Sequence, residues 1–298
     1  MDVVRTNREL QQRSDAMRAS GRRVALVPTM GALHEGHLSL VAEGRARADE
    51  VWVSIFVNPT QFNEASDLDA YPRTWEADLA ACEAAGVDLV FAPTVSEMYP
   101  DGADTTVQAG ALSRPLCGSA RPGHFDGVTT IVSKLLLAAK PHVAVFGEKD
   151  FQQLAVIRRM VCDLNFDVEV IGGATIREPD GLALSSRNLR LDAEARAQAV
   201  VLARALEAAD DAVASGEREA ETILALVRRE IEKAPRAVID YAELRDPDSL
   251  EPAPARLEGP TLLALAVLLT PADGDTDDAV RLIDNRMLCA HAFAEDPR

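Results

Sequence analysis

The chain is poor in lysine: Lys134, Lys140, Lys149 and Lys233 are its only four in 298 residues. Positive charge of any kind is outnumbered, 31 Lys and Arg against 48 Asp and Glu, for a formal net charge of -17. That balance excludes nucleic acid as the main partner, because such binding is driven by neutralising phosphates. Apolar runs such as Leu262 to Leu269 are too short to span a bilayer, so no membrane role is expected. The cysteines Cys82, Cys117, Cys162 and Cys289 are scattered with no Cys-x-x-Cys pair. This excludes a disulfide framework and leaves reduced thiols in a cytoplasmic protein as the expectation. Met1-Asp2-Val3-Val4-Arg5 lacks the charged-then-apolar pattern of an export signal. There is no Walker loop and no Gly-x-Gly-x-x-Gly, which disfavours a P-loop ATPase and an ordinary dinucleotide dehydrogenase. No nucleophile elbow is present and no cysteine adjoins a histidine, so covalent acyl transfer is not expected.

What is there is an alternation of strands and helices. Short β-rich runs at Val24-Val27, Val51-Val57, Val87-Phe91, Val143-Phe146 and Val168-Ile171 are separated by apolar residues at helical spacing over Leu38-Ala48, Thr74-Ala85, Val128-Ala139 and Phe151-Asp163. Such an order predicts an α/β fold, a Rossmann-like doubly wound parallel sheet over residues 1–175, with ligands at the carboxyl ends of the strands. After Ile176 the texture changes. Helices over Ala193-Ala214 and Ala220-Glu232 precede strand-like runs at Ala237-Leu244, Thr261-Leu269 and Val280-Ile283, and predict a smaller α+β domain over residues 176–298. The run Asp273 to Asp278 reads as a hairpin-like surface loop.

The chemistry-bearing residues fall at predicted strand ends. Pro28-Thr29-Met30-Gly31-Ala32-Leu33-His34-Glu35-Gly36-His37 follows the first apolar strand and opens a helix. Free N-H groups and the positive end of a helix dipole suit an anion there. The spacing of three puts both imidazoles on one face of the first turn. A zinc-protease pair needs spacing of four, so the metal reading is disfavoured, although simple core or surface histidines stay open. Gly147-Glu148-Lys149-Asp150 follows a strand and precedes a helix. Lys149 could cross a phosphate chain while Asp150 caps that helix, or could be an ordinary loop lysine. Leu184-Ser185-Ser186-Arg187-Asn188 offers hydroxyls and a guanidinium in a mobile-looking loop beside Gly181; either it clamps phosphate or its serines cap a helix for which Asp192 is the better candidate. Gln61 and Gln153 are amides near strand ends, able to hold a carboxylate or hydroxyl without adding charge. In Gly123-His124-Phe125-Asp126-Gly127-Val128, a substrate loop and a turn capped by Asp126 are equally open. A polyanionic nucleotide approaching so acidic a molecule needs local cations, helix N-termini and a magnesium ion.

Together with Phe56-Val57-Asn58-Pro59-Thr60-Gln61-Phe62 and Tyr71-Pro72-Arg73-Thr74, these motifs resemble, in order and over nearly the whole chain, those of pantothenate synthetase, also called pantoate-β-alanine ligase. The resemblance implies a cytoplasmic, magnesium-dependent homodimer. ATP and pantoate give pantoyl adenylate and pyrophosphate, and β-alanine then displaces AMP. It implies that the first domain binds nucleotide and carries the dimer interface, while the second, with the Asp180-Arg187 loop, serves as a lid. Carried over by position, Met30, Gly31, Ala32, Leu33, His34, Glu35, Gly36 and His37 line the ATP site, His37 as proton donor. Gly147, Glu148, Lys149, Asp150, Ile176, Leu184, Ser185, Ser186 and Arg187 complete it. His34, His37, Lys149 and Arg187 carry the catalysis, Gln61, Gln153, Asn58 and His124 match pantoate positions, and Gln61 also lies where β-alanine arrives. The metal ligands are not assigned, although Glu76 and Asp78 stand in the family's magnesium-associated acidic stretch. Thr60 and Leu184 depart from the family, which often has Met at both places. A related nucleotidyltransferase that keeps the nucleotidyl group in its product, and a fold that has lost turnover, are the competing readings.

Overall fold

The computed structural model describes residues 1–63, 65–272 and 278–288. The run from Asp273 to Asp277 and Cys289 lie outside them. The chain divides into two compact units, Met1–Ile176 and Arg177–Arg298.

In the first unit the elements run β1 (Asp2–Val4), α1 (Asn7–Ala19), β2 (Val24–Thr29), α2 (Glu35–Arg45), β3 (Glu50–Ile55), α3 (Ala65–Asp69), α4 (Trp75–Ala84), β4 (Leu89–Phe91), α5 (Val95–Met98), α6 (Cys117–Ala120), α7 (His124–Ala139), β5 (Val143–Gly147), α8 (Phe151–Asp163) and β6 (Glu169–Gly173). The strands form one parallel sheet in the order β1-β4-β3-β2-β5-β6. This is the doubly wound α/β arrangement that the strand-helix alternation predicts. The central strands read as unbroken apolar runs because both faces are covered. Ala25, Val27, Val51, Val53, Val143 and Val145 pack with Leu40, Val41 and Cys82 of α2 and α4, while Leu26, Trp52 and Leu89 are fully buried as well.

From β2 the chain winds outward through β3 and β4, then returns to place β5 on the other side of β2. The switch point therefore lies between β2 and β5. Their pairing is limited to Ala25 opposite Val143 and Leu26 opposite Ala144. Beyond those pairs the two strands part toward their carboxyl ends, at Thr29 and Gly147. Open α/β sheets bind their ligands in the crevice at that point.

In the second unit α9 (Ala193–Ala199), α10 (Val201–Ala214) and α11 (Ala220–Ile231) are followed by β7 (Ala237–Arg245), β8 (Thr261–Leu269) and β9 (Val280–Leu288). The strands make an antiparallel sheet in the order β7-β8-β9. Alternate residues Leu263, Leu265, Val267 and Leu269 of β8 join Leu202, Leu206, Ile223 and Val227 in the core. The single helix expected over Ala193–Ala214 is divided at Val200. Its apolar residues run through the break, so no periodicity betrays it.

Candidate active site

Gly31 and Ala32 connect β2 to α2 in the left-handed region, at φ +83° and +50°. Glycine accommodates this readily, and alanine only with strain. What holds the turn is Asp78 of α4, 3% exposed. Its Oδ2 accepts from the Ala32 N-H at 3.0 Å, and its Oδ1 accepts from the Leu33 N-H at 2.7 Å and the Thr74 hydroxyl at 3.1 Å. A Cβ on Gly31 would come within 2.9 Å of the Asp78 carboxylate. The resemblance implies that Asp78 stands in an acidic stretch associated with magnesium; in the structure its oxygens are engaged by the loop that leads into the histidine motif. Asp78→Asn turns an amide donor toward one of those N-H donors. We expect it to lower folding stability by about 1–3 kcal/mol, which denaturant unfolding measures.

The His34–His37 pair forms the N-terminus of α2. His34 is the N-cap, and its Nδ1 accepts from the Gly36 N-H at 3.2 Å. The His34 N-H in turn donates to Nδ1 of His37 at 3.4 Å. This is a capping box built from imidazoles, with ring centroids 4.1 Å apart. Because both Nδ1 atoms accept, each neutral ring carries its proton on Nε2. Burial, reinforced by His34, lowers the His37 pKa to about 3. Burial and the Lys149 charge lower that of His34, against an opposing pull from Asp150. Both rings are therefore neutral donors at neutral pH.

Across the switch point, Glu148–Asp150 form a 3-10 turn between β5 and α8. Asp150 stands at the N-cap position of α8 but makes no side-chain cap hydrogen bond, contrary to the sequence expectation. The intervening 3-10 turn changes its approach, and its carboxylate lies 3.9 Å from Nζ of Lys149. The Lys149 charge lowers the pKa of both imidazoles, so the Gly147-Asp150 turn lies within electrostatic reach of the Met30-His37 motif.

After β3, Pro59–Gln61 form a 3-10 turn capped by Asn58. Asn58 is 1% exposed. Its Nδ2 donates to Gln61 Oε1 and to the Gly127 carbonyl, each at 3.1 Å, and its Oδ1 accepts from the Thr60 N-H at 3.4 Å. A carbonyl cannot donate and an N-H cannot accept, so these backbone groups settle which way the Asn58 amide faces. Gln61 must then turn Oε1 toward Asn58 and Nε2 away from it, and Nε2 donates to the Met30 sulfur at 3.1 Å. The Asn58 amide is thus engaged by Gln61, Gly127 and Thr60. His124 likewise turns Nδ1 to the Gln61 carbonyl at 2.6 Å, beside Arg121 at 3.2 Å. Asp126 lies within the first turn of α7 and accepts from the Ala109 N-H at 2.9 Å instead of capping that helix. Gln153 is half-buried on α8. Its neighbour Gln152 is buried and structural, bonded to Cys117, Leu112 and Pro115.

In the second unit, Leu184 and Ser185 precede a 3-10 turn, Ser186–Arg190, in which the Ser185 hydroxyl accepts from the Arg187 N-H at 3.3 Å. Ser185 thus caps its own turn, and Asp192 caps α9. The loop is tied down more firmly than its composition suggests. Arg177 makes a bidentate pair with buried Asp284, at 2.7 and 3.0 Å, and Arg196 holds Glu178 and Asp180. Ile176 ends the first unit.

Among the described residues no group of three or more His, Cys, Asp or Glu could hold a metal ion, and no helix is long and apolar enough to cross a membrane. Cys82 and Cys162 are free thiols. Asp78, Arg121 and Tyr99, whose hydroxyl donates to Asn58 Oδ1 at 2.8 Å, are the residues that sequence reasoning left without these roles. Each acts across a long sequence separation, which no local spacing signals.

A family profile described as pantoate-beta-alanine ligase matches residues 2–287. The chain is 50% identical to the pantothenate synthetase of Trichlorobacter lovleyi and 51% identical to that of Geobacter sulfurreducens, in each case over 97% of this chain and 99% of the relative. A crystal structure of the Thermus thermophilus pantothenate synthetase superposes with a TM-score of 0.86 at 43% identity, covering 96% of this chain and 99% of that one. The Francisella tularensis pantoate-β-alanine ligase, crystallised with an ATP compound and β-alanine, gives 0.78 at 31% identity over 96% and 97% of the two chains. The chain belongs to the pantoate-β-alanine ligase family.

Proposed function

We propose that the chain joins pantoate to β-alanine using Mg-ATP, through pantoyl adenylate, releasing pyrophosphate and AMP. One observation carries the reading: the sheet crevice gathers a helix N-terminus with two neutral imidazole donors and a lysine, and β3 leads into an oriented amide donor. In the first step a pantoate carboxylate oxygen attacks the α-phosphorus, and the bond from that phosphorus to the bridging oxygen breaks. Such a displacement depends on placement and on neutralising charge. The α2 dipole, Lys149 and the Nε2-H groups of His34 and His37 supply both to the departing pyrophosphate. Gln61 offers Nε2-H to an acceptor oxygen of pantoate, with Gln153 as the second amide. In the second step the β-alanine amine attacks the acyl carbon, the bond to AMP breaks, and the amine proton leaves to solvent. Met30 to His37, Gly147 to Asp150 and the backbone near Ile176 form the nucleotide site on this reading. A cytoplasmic homodimer belongs to the same reading.

Magnesium enters as part of the substrate, held by phosphates and water, since Asp78 is engaged by backbone and no carboxylate cage exists among the described residues. Mg2+ alone at millimolar concentration is therefore expected to leave Tm unchanged, whereas Mg-ATP raises it. A clear shift with the ion alone overturns that assignment.

The experiment for the function is pyrophosphate release and AMP formation from Mg-ATP and pantoate, with and without β-alanine. Pantoate-dependent pyrophosphate with sustained AMP only when β-alanine is present is the expected result. No pyrophosphate from the well-folded chain sinks the ligase, and a nucleotidyl group retained in the product points to the related transferase.

A further inference from the structure

Thr60 is where the sequence departs from its family, and the structure gives it contacts that a thioether could not make. Its Oγ1 lies 3.0 Å from Asn58 Oδ1 and 3.1 Å from the Tyr99 hydroxyl. The Tyr99 hydroxyl itself donates to Asn58 Oδ1 at 2.8 Å. Tyr99 follows α5, 41 residues from Asn58. The phenol is already held neutral, burial pushing its pKa up against the Thr60 and Asn58 hydrogen bonds, so it remains a donor across the working range. Without the two hydroxyls, Asn58 Oδ1 keeps only the Thr60 N-H at 3.4 Å, a long bond for a buried acceptor. Under-satisfied buried acceptors are costly enough to drive local rearrangement. Here rearrangement means rotation of Asn58, which releases Gln61 Oε1.

We propose that Tyr99 and Thr60 form a redundant pair of hydroxyl donors that lock the Asn58 amide and, through it, aim the Gln61 Nε2-H donor at the acid substrate. They are positioning residues, two hydrogen bonds removed from Gln61 and three from the substrate. The proposal rests on the reading of Gln61 as a pantoate ligand. Redundancy is its signature: either hydroxyl alone satisfies Oδ1, so loss of one costs little and loss of both costs more than the product of the single losses. Gln61 meets the nucleotide site through its bond to the Met30 sulfur and not through the nucleotide itself, so KM for ATP changes far less than KM for pantoate.

The test uses the full chain with Thr60→Val, Thr60→Ser, Tyr99→Phe, and Tyr99→Phe combined with each Thr60 variant, followed by pantoate-dependent pyrophosphate release. Each of Thr60→Val and Tyr99→Phe is expected to raise KM for pantoate about twofold to threefold, and the pair together about thirtyfold or more, from the loss of the last good partner of a buried acceptor. KM for ATP stays within about twofold throughout, since no nucleotide contact is altered. Tyr99→Phe with Thr60→Ser should stay near the single variant, because serine restores the donor. The side-chain amide resonances of Gln61, assigned by their loss in Gln61→Glu, should move in the free protein carrying Tyr99→Phe with Thr60→Val and remain in place in that carrying Tyr99→Phe with Thr60→Ser. Additive effects, equal rises in both KM values, or unmoved Gln61 resonances each overturn the inference. A wild-type chain that releases no pyrophosphate overturns the ligase reading instead, and the amide resonances still report on the lock.

Discussion

Replacing His37 with asparagine is expected to leave the fold intact and lower kcat by about 10²–10³-fold, the usual loss for one preorganised donor at a developing charge. Replacing it with glutamine should have the opposite profile. The argument starts from the two nitrogens of the ring. Nδ1 accepts the His34 N-H and so belongs to the helix cap, while Nε2 carries the only proton the neutral ring has to offer. Asparagine places an acceptor near the position of Nδ1 but has nothing that reaches Nε2. Glutamine reaches Nε2 with an amide N-H but abandons the cap, which costs stability of about 0.5–2 kcal/mol. His37→Asn should therefore be stable and slow, and His37→Gln less stable and faster than Asn. Initial rates and denaturant unfolding on the same preparations measure the crossed pattern. If the two variants lose activity equally, the ring does not act as a neutral Nε2 donor.

The same ring predicts how pH acts on the protein. In the folded state burial holds His37 near 3, against an ordinary value of 6.5, and His34 is shifted in the same direction. Between those values the unfolded chain binds more protons than the folded one. Stability is thus fully present above pH 6.5 and falls as the pH drops toward 3. His37→Asn removes part of that slope, which unfolding at a series of pH values would detect. The rate of the first step should show no inflection from His37 between pH 6 and 9, because its protonation state does not change there.

Much of the fold was legible because burial on both faces of a parallel sheet writes itself as runs such as Val24-Val27 and Val143-Val145, and because α8 and β8 begin and end where their periodicity does. The N-terminal β1 and α1 escaped notice for physical reasons. An edge strand of three residues has no period to detect, and α1 buries only Leu10, Ser14 and Met17 beneath a polar surface. At the site, the histidine motif, Lys149 and Gln61 could be named because each is local to a strand end. Their supports could not. Asp78 reaches Ala32 across 46 residues, and Tyr99 reaches Asn58 across 41; hydrogen bonds of that kind follow from the winding of the chain, which spacing does not encode. Residue type also says nothing about state. Asn58 reads as a ligand by type, and the structure adds that its amide meets Gln61, Gly127 and Thr60; His37 reads as a proton donor by type, and the structure adds that burial lowers its pKa.

Lys149→Met should produce the second large loss, about 10²–10³-fold in kcat/KM for ATP, because the polyanion then meets a strongly acidic protein without its nearest cation. Lys149 is one of four lysines, and its side chain is only 17% exposed. In such a setting its charge is screened less than a surface charge would be. Arginine keeps the charge but spreads it over a planar fork that does not occupy the same point, so Lys149→Arg should recover only part of the loss. A second readout separates charge from packing without any substrate. The ammonium helps to depress the pKa of His34 and, more weakly, of His37. Lys149→Met should raise the His34 value toward its ordinary range, and Lys149→Arg should hold it down. Imidazole resonances followed through a pH titration report this directly. If the His34 titration is unchanged in a folded Lys149→Met protein, the lysine does not face the histidine motif and the crevice does not work as one charged site. If the titration moves but kcat/KM for ATP does not, Lys149 tunes the imidazoles without meeting the nucleotide, and the cation that neutralises the phosphates must be sought among Arg187 and the metal ion of Mg-ATP.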